Sequence, residues 1–215
     1  LWIGTNDNGV SIYVRDKISN ILTVQNDLAS NSIRCIAEDE QGNYYIGTSD
    51  ALSIVTISNG LKVRKTLQEI MYARSIAIGK AGDVAVVNNS GQLFIINNQM
   101  IKETFTLKTG NAETFYTCCK YMDNGDLLVG TTTNEMYRLR KTNGKYRTIK
   151  RYTTGNLQQI SSIASDDQGN YWVCSGSGIG YLQREKFHTF DTNTFNSSID
   201  NMTMDYQGNL WFTSS

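Results

Sequence analysis

The stretch Ser32-Ile33-Arg34-Cys35-Ile36-Ala37-Glu38-Asp39-Glu40-Gln41-Gly42-Asn43-Tyr44-Tyr45-Ile46-Gly47-Thr48 decides the fold. Residues 32–38 are apolar-rich, residues 39–43 form a turn cluster, and residues 44–48 are aromatic and β-branched. Working outward, Ser49-Asp50 breaks the pattern, residues 51–57 resume it, Ser58-Asn59-Gly60 turns again, and residues 61–67 alternate apolar with polar. That is four short strands joined by hairpin-type turns.

The same grammar recurs along the chain. Strand-like runs appear at Leu1-Trp2-Ile3-Gly4-Thr5, Asp83-Val84-Ala85-Val86-Val87-Asn88, Asp126-Leu127-Leu128-Val129-Gly130-Thr131, Asn170-Tyr171-Trp172-Val173-Cys174-Ser175 and Asn209-Leu210-Trp211-Phe212-Thr213-Ser214. The turn glycines Gly42, Gly82, Gly125, Gly169 and Gly208 are spaced by 40, 43, 44 and 39 residues. Four antiparallel strands per period of about 40 residues is the pattern of a β-propeller blade, and no apolar stripe of helical period competes with it. The reading is therefore all-β: a β-propeller of four-stranded antiparallel blades, about five blade equivalents over residues 1–215. The innermost strand of each blade precedes its turn glycine, as at residues 32–38, 114–121 and 161–165. Residues 1–5 and 210–214 both claim a second-strand place, which predicts a fragment of a larger ring of seven blades. An open arc exposes a blade face and sheet edges and predicts self-association, with a homodimer its simplest form.

Composition narrows the class. With 40% hydrophobic and 19% charged residues the chain is globular rather than disordered. Lys plus Arg equals Asp plus Glu at 20 each, so no global field favours nucleic acid or an anionic membrane surface. Proline is absent, which assigns every turn to Gly, Asn, Asp and Ser. Cys35 and Cys118 each stand seven residues before a turn glycine, and Cys174 stands where other units have glycine. With Cys119 they read as small buried strand residues. One histidine, His188, and no paired CxxC spacing leave no zinc set. No cofactor and no metal is expected. Apolar runs of only a few residues give neither a signal peptide nor a membrane span, so any membrane attachment belongs to segments outside the chain.

The unit at residues 32–48 resembles the two-component regulator propeller repeat: apolar strand, acidic pair, Gly-Asn-aromatic, Trp-Ile-Gly-Thr. Leu1-Trp2-Ile3-Gly4-Thr5 with Gly9-Val10, Asp166-Asp167-Gln168-Gly169-Asn170-Tyr171-Trp172-Val173 and Asp205-Tyr206-Gln207-Gly208-Asn209-Leu210-Trp211-Phe212 repeat the pattern. The unit at Gly82 keeps only the spacing, and the unit at Gly125 has Leu128 in place of Trp. The resemblance implies an extracytoplasmic, periplasmic or cell-surface, sensor region of a membrane-anchored bacterial protein. It implies a hybrid histidine kinase or diguanylate cyclase whose output module lies outside this chain, and a glycan-derived or other polar small-molecule ligand such as an oligosaccharide.

Local motifs add no catalytic set. Gly176-Ser177-Gly178-Ile179-Gly180 lacks the Lys-Ser/Thr ending of a phosphate loop and reads as a hairpin turn. Asp166-Asp167-Gln168-Gly169-Asn170 and Asp123-Asn124-Gly125-Asp126 lack the twelfth-position glutamate of a calcium loop and read as acidic β-turns. The aromatic three places after each turn glycine (Tyr45, Trp172, Trp211, with Trp2 equivalent) reads as packing between blades rather than a sugar platform. Ligand contacts should instead differ from blade to blade. That directs attention to one rim, formed by the loops entering the innermost strands and the loops between second and third strands. The first set holds Asn31, Arg34, Tyr72, Arg74, Phe115, Tyr116, Asn156, Gln158, Phe195 and Asn196; the second holds Asn6, Asp7, Asp50, Asn88, Asn89 and Asn134. Arg34, Arg74, Tyr72, Tyr116, Asn156 and Asn196 are the candidate ligand-binding residues, because guanidinium, amide and aromatic groups suit hydroxyl-rich ligands. Two alternatives stand beside the sensor. One is a protein-interaction scaffold, although the Gly-His and Trp-Asp signatures of WD repeats are missing. The other is a propeller glycosidase or lyase, which needs a carboxylate pair or a base in the funnel.

Overall fold

The computed structural model describes residues 1–57, 60–107, 114–190 and 198–214. It divides into two compact units, Leu1–Phe105 and Thr106–Ser215. In the first, β1 (Trp2–Gly4), β2 (Val10–Val14) and β3 (Lys17–Leu22) form one sheet. A second sheet is β4 (Ile33–Glu38), β5 (Asn43–Thr48), β6 (Leu52–Thr56) and β7 (Lys62–Leu67), and a third is β8 (Ala73–Ile78), β9 (Val84–Asn88), β10 (Gln92–Asn97) and β11 (Met100–Thr106). The second unit holds β12 (Tyr116–Tyr121), β13 (Leu127–Thr131), β14 (Glu135–Thr142) and β15 (Lys145–Thr153) in one sheet. It continues with β16 (Ile160–Ser165), β17 (Tyr171–Ser175), β18 (Gly178–Gln183) and β19 (Lys186–Thr189), then the pair β20 (Ile199–Met204) and β21 (Leu210–Ser214).

Each sheet is an antiparallel meander in chain order, and helix among the described residues is limited to two three-residue turns, Val24–Asn26 and Lys80–Gly82. First strands pack on first strands: β4 on β8 in one unit, β12 on β16 and β16 on β20 in the other. They are the innermost strands, and they precede the turn glycines as expected. The chain is therefore built of β-propeller blades, and the strands among the described residues amount to a little over five of them. β1 packs on β4 as β5 packs on β8, so β1 takes a second-strand place, as β21 does beside β20.

The core lies in the seams between sheets. Tyr45, Leu52, Ile54 and Leu67 of the second sheet, with Ile70 just after it, close on Ala73, Val84, Val86, Phe94 and Ile96 of the third. Val10, Ile12 and Leu22 close on Tyr44, Ile46 and Val55, and Leu128, Met136 and Tyr152 on Tyr171, Val173 and Leu182. Each such aliphatic or aromatic side chain contributes about 1.5–3 kcal/mol when fully buried. Close approach at the inner end of the seam depends on glycine. A Cβ on Gly47 would lie 2.6 Å from Ala73 Cβ and 2.6 Å from Cys35 Sγ; on Gly130 it would lie 2.6 Å from Ile160 Cγ2 and 2.8 Å from Cys118 Sγ. The cysteines fill the space beside these glycines, and all four are free thiols. Burial pushes Cys35 and Cys174 up to about 12.

Two turn classes behave differently. Gly42, Gly82, Gly125, Gly169 and Gly208 all have φ between 76° and 86°, as turn glycines should. The hairpins joining third to fourth strands depart from expectation. Arg15-Asp16, Asn98-Gln99, Asn143-Gly144 and Arg184-Glu185 all have positive φ at both residues, so Arg, Gln and Glu carry turns expected only of Gly, Asn, Asp and Ser. The twist of the flanking strands demands a type I′ geometry in a two-residue loop, and it overrides residue preference.

Candidate functional site

Every innermost strand slips register just after its first residue. The shifts fall between Ile33 and Cys35, Ala73 and Ser75, Tyr116 and Cys118, Ile160 and Ser162, and Ile199 and Asn201. The extra residue is Arg34, Arg74, Thr117, Ser161 or Asp200. A bulge bends the strand and re-aims the side chain it carries; Arg34, Arg74 and Asp200 are exposed there, whereas Thr117 is buried and Ser161 Oγ donates to Ile199 O at 2.7 Å.

Backbone hydrogen bonds bring the two loop sets to that rim. In the first unit Ile33 N donates to Thr5 O at 2.8 Å, Ser49 N to Ser32 O at 3.1 Å, Tyr72 N to Ser49 O at 3.1 Å, and Asn89 N to Tyr72 O at 2.9 Å. In the second unit Thr132 N donates to Phe115 O at 3.0 Å and Gln159 N to Thr132 O at 3.2 Å. Tyr72 and Gln159, each just before an innermost strand, are held at φ of 51° and 54°. A left-handed backbone costs a non-glycine residue about 1–2 kcal/mol, and here the rim ladder holds it in place.

The structure places the candidate residues unequally. Arg34 and Arg74 are exposed at bulges, and Tyr72 is 50% exposed beside Arg74. Neither arginine has a salt bridge among the described residues. Tyr116 is corrected: it opens β12 opposite Thr131, is buried, and stands edge-on to Tyr137 with centroids 6.4 Å apart. Burial pushes its hydroxyl up to about 12. The exposed aromatic of that loop is Phe115, because adjacent residues of an extended chain face opposite ways. Asn156 is exposed and its carbonyl accepts Ser177 Oγ at 2.9 Å. Asn196 and Phe195 lie outside the described residues. In the second loop set Asn88 pairs with Gln92, Asp50 accepts Ser49 Oγ at 2.8 Å and Asp7 accepts Asn8 Nδ2 at 2.7 Å, while Asn6 accepts Ser32 Oγ at 3.3 Å and Asn134 Nδ2 donates to Gly155 O at 3.1 Å.

At the other end of the same strands the acidic turns repeat almost atom for atom. Asp166 Oδ1 accepts Gln168 N and Asn170 N at 3.0 and 2.8 Å, while Oδ2 accepts Asn170 Nδ2 and Trp172 Nε1 at 2.8 Å. Asp205 holds Gln207, Asn209 and Trp211 in the same way, and Asp39 holds Gln41, Asn43 and the Tyr45 hydroxyl. The repeated aromatic thus donates to its turn, a role that sequence reasoning missed although the six-residue spacing carries it; Tyr45 and Trp172 also pack in the seams, whereas Trp211 is exposed. Trp211's hydrogen bond, with Asn209's, holds Asp205 down at about 2. Cavities of about 440 Å³ beside Asp39, Asn43, Tyr45 and Gly82, and about 340 Å³ beside Asp166, Asn170, Trp172 and Gly208, sit at equivalent seams. Asp39 and Asp166 are consumed by the turns, and each cavity is also lined by a second carboxylate, Glu40 or Asp167.

A second charged cluster ties neighbouring sheets together. Arg138, buried, donates Nε to Asp126 at 2.6 Å and pairs with Glu185 from the β18–β19 hairpin. Arg140 also pairs with Asp126, and Lys150 and Tyr152 reach Glu185 at 2.8 and 2.7 Å. The Lys150 ammonium first, then the Tyr152 hydroxyl, hold Glu185 down at about 2. Among the described residues no group of His, Cys, Asp and Glu could hold a metal ion.

Comparison with known proteins agrees with this architecture. Residues 27–50 match the family model "Two component regulator propeller". No curated protein matches the sequence significantly. Among solved structures, one described as the extracellular domain of a hybrid two component system, BT3049, from B. thetaiotaomicron superposes with a TM-score of 0.79 at 21% identity. All of this chain is covered but only 31% of that one, so the chain spans under a third of its length. A second such extracellular domain, BT4673, gives a TM-score of 0.60 at 16% identity, over 99% of this chain and 35% of that one. Virginiamycin B lyase from Staphylococcus aureus gives 0.74 at 16% identity, over 99% of this chain and 73% of that one. One of the lyase structures is a catalytically inactive histidine-to-alanine variant with quinupristin. At these identities the likeness is one of fold. The chain is an all-β propeller structure whose residues 27–50 match the two component regulator propeller model.

Proposed function

We propose that the chain is a non-catalytic, ligand-sensing propeller module from the extracytoplasmic part of a membrane-anchored two-component receptor. Its output, a histidine kinase or a diguanylate cyclase, is carried outside this chain, and its ligand is a glycan-derived or other polar small molecule. One observation carries the reading: the acidic turn recurs at Asp39, Asp166 and Asp205, whereas the bulged residue varies in type, arginine at positions 34 and 74 and then Thr117, Ser161 and Asp200. Architecture repeats, while contacts to an asymmetric ligand cannot. The matched repeat and the likeness to extracellular domains of hybrid two component systems support the same reading. Among the described residues no helix is long and apolar enough to cross a membrane.

The lyase likeness favours a second reading, since one fold hosts many functions. A histidine in the lyase is needed for its activity, and this chain has a single histidine. His188 lies on β19, the fourth strand of its sheet, stacked on Tyr181 at 4.9 Å and remote from the bulged strand. The test is a thermal-shift screen of oligosaccharides and polar metabolites against the full receptor region. A ligand at a hundred times its dissociation constant stabilises the fold by about 2.7 kcal/mol. Turnover of a stabilising compound, measured by chromatography, overturns the sensor reading.

A further inference from the structure

Arg34 and Arg74 occupy the bulges of neighbouring innermost strands, and those strands touch beside them. Cys35, next to Arg34, donates its thiol to the carbonyl of Ala73, next to Arg74, at 3.5 Å. Two exposed guanidinium groups are thus anchored on backbones in contact, with no salt bridge to either among the described residues. Arg138, Arg140 and Arg151 all have carboxylate partners. The two acidic residues of the same rim, Asp7 and Asp50, are hydrogen-bonded within their own loops to Asn8 and Ser49. Tyr72, two residues before Arg74, is half exposed and its backbone is fixed by bonds through both N–H and carbonyl.

Like charges placed side by side without a counter-ion repel, and an oxyanion relieves the repulsion. Guanidinium meets carboxylate or sulfate through paired N–H donors, and a fixed aromatic face stacks on the apolar side of a ring. We infer that this rim selects a small ring molecule bearing an oxyanion, held by Arg34 and Arg74 with Tyr72 beneath it. The inference rests on the sensor reading and supplies its ligand charge. The bulges decide it: without them Arg34 and Arg74 would stay in the regular alternation of their strands instead of being re-aimed at the rim.

The test uses the full chain and matched sugar pairs in calorimetry: galacturonic acid against galactose oligomers, and N-acetylglucosamine 6-sulfate against N-acetylglucosamine. The anionic member of at least one pair binds about ten- to a hundredfold more tightly, the range expected for charged hydrogen bonds, and added salt erodes the difference. The carboxylate and sulfate arms tell the two oxyanions apart. Arg34→Gln and Arg74→Gln each remove the preference while leaving the melting temperature unchanged, since both side chains are exposed. Equal binding of neutral and anionic members, or an unchanged preference in both variants, overturns the charge inference and leaves the sensor reading standing. Absence of binding by every sugar and by the wider metabolite panel overturns both.

Discussion

Gly47→Ala should destabilise the first unit through crowding rather than backbone strain. The new methyl would stand 2.6 Å from Ala73 Cβ and 2.6 Å from Cys35 Sγ, well inside van der Waals contact. Ala73 cannot rotate away, because its Cβ is fixed to β8, so the two sheets must part locally. Overpacking of this kind costs about 1–3 kcal/mol. For a domain of this size that lowers Tm by about 2–4 °C per kcal/mol. Gly42→Ala is the control: it has nothing within 4 Å of the added Cβ but a φ of 76°, so its cost of about 1 kcal/mol is purely conformational. Adding Ala73→Gly should recover much of the Gly47→Ala loss and none of the Gly42→Ala loss. The assay is a double-mutant cycle by urea denaturation, with a coupling of at least about 1 kcal/mol expected for groups in contact. A coupling near zero, or a Gly47→Ala variant as stable as the wild type, would refute close approach at this seam.

Arg138→Ala should cost about 3 kcal/mol, at the low end for breaking a buried ion pair because Arg140 still meets Asp126. Arg140→Ala, whose side chain is half exposed, should cost far less, and chemical denaturation separates the two. Acid should unfold the second unit in a defined window. Glu185 and Asp205 are held down at about 2 against unfolded values near 4, so the stability they supply is complete above about pH 4 and is lost as pH falls towards 2. Melting curves across that range should show the loss, and Glu185→Gln should make it shallower; an unchanged slope would remove Glu185 from the account. The four cysteines should resist an aromatic disulfide reagent at pH 8 in the native state and all react after denaturation, because burial keeps the Cys35 and Cys174 thiols protonated.

The period, the four-strand grammar and the turn glycines were legible in the amino-acid sequence because each is local. Gly42 needs a left-handed turn whatever surrounds it, and alternation along residues 61–67 marks a half-buried strand without reference to its neighbour. The role of Trp172 was half legible: its spacing from Asp166 is constant across units, but only the folded turn brings indole N–H and carboxylate to 2.8 Å. Tertiary pairing decided the rest. The bulges that present Arg34 and Arg74 exist only once β4 and β8 have partners to slip against, and no residue type announces them. One position separates buried Tyr116 from exposed Phe115, and a one-residue change of register exchanges inside for outside. The Arg184-Glu185 hairpin adopts type I′ geometry against its own residue preference because the strands on either side fix its twist. Arg138 finds Glu185 forty-seven residues away only after two sheets have closed on one another. Sequence determined what repeats, since repetition is written in short-range chemistry. Tertiary structure decided what differs between blades, since each difference depends on which strand lies alongside.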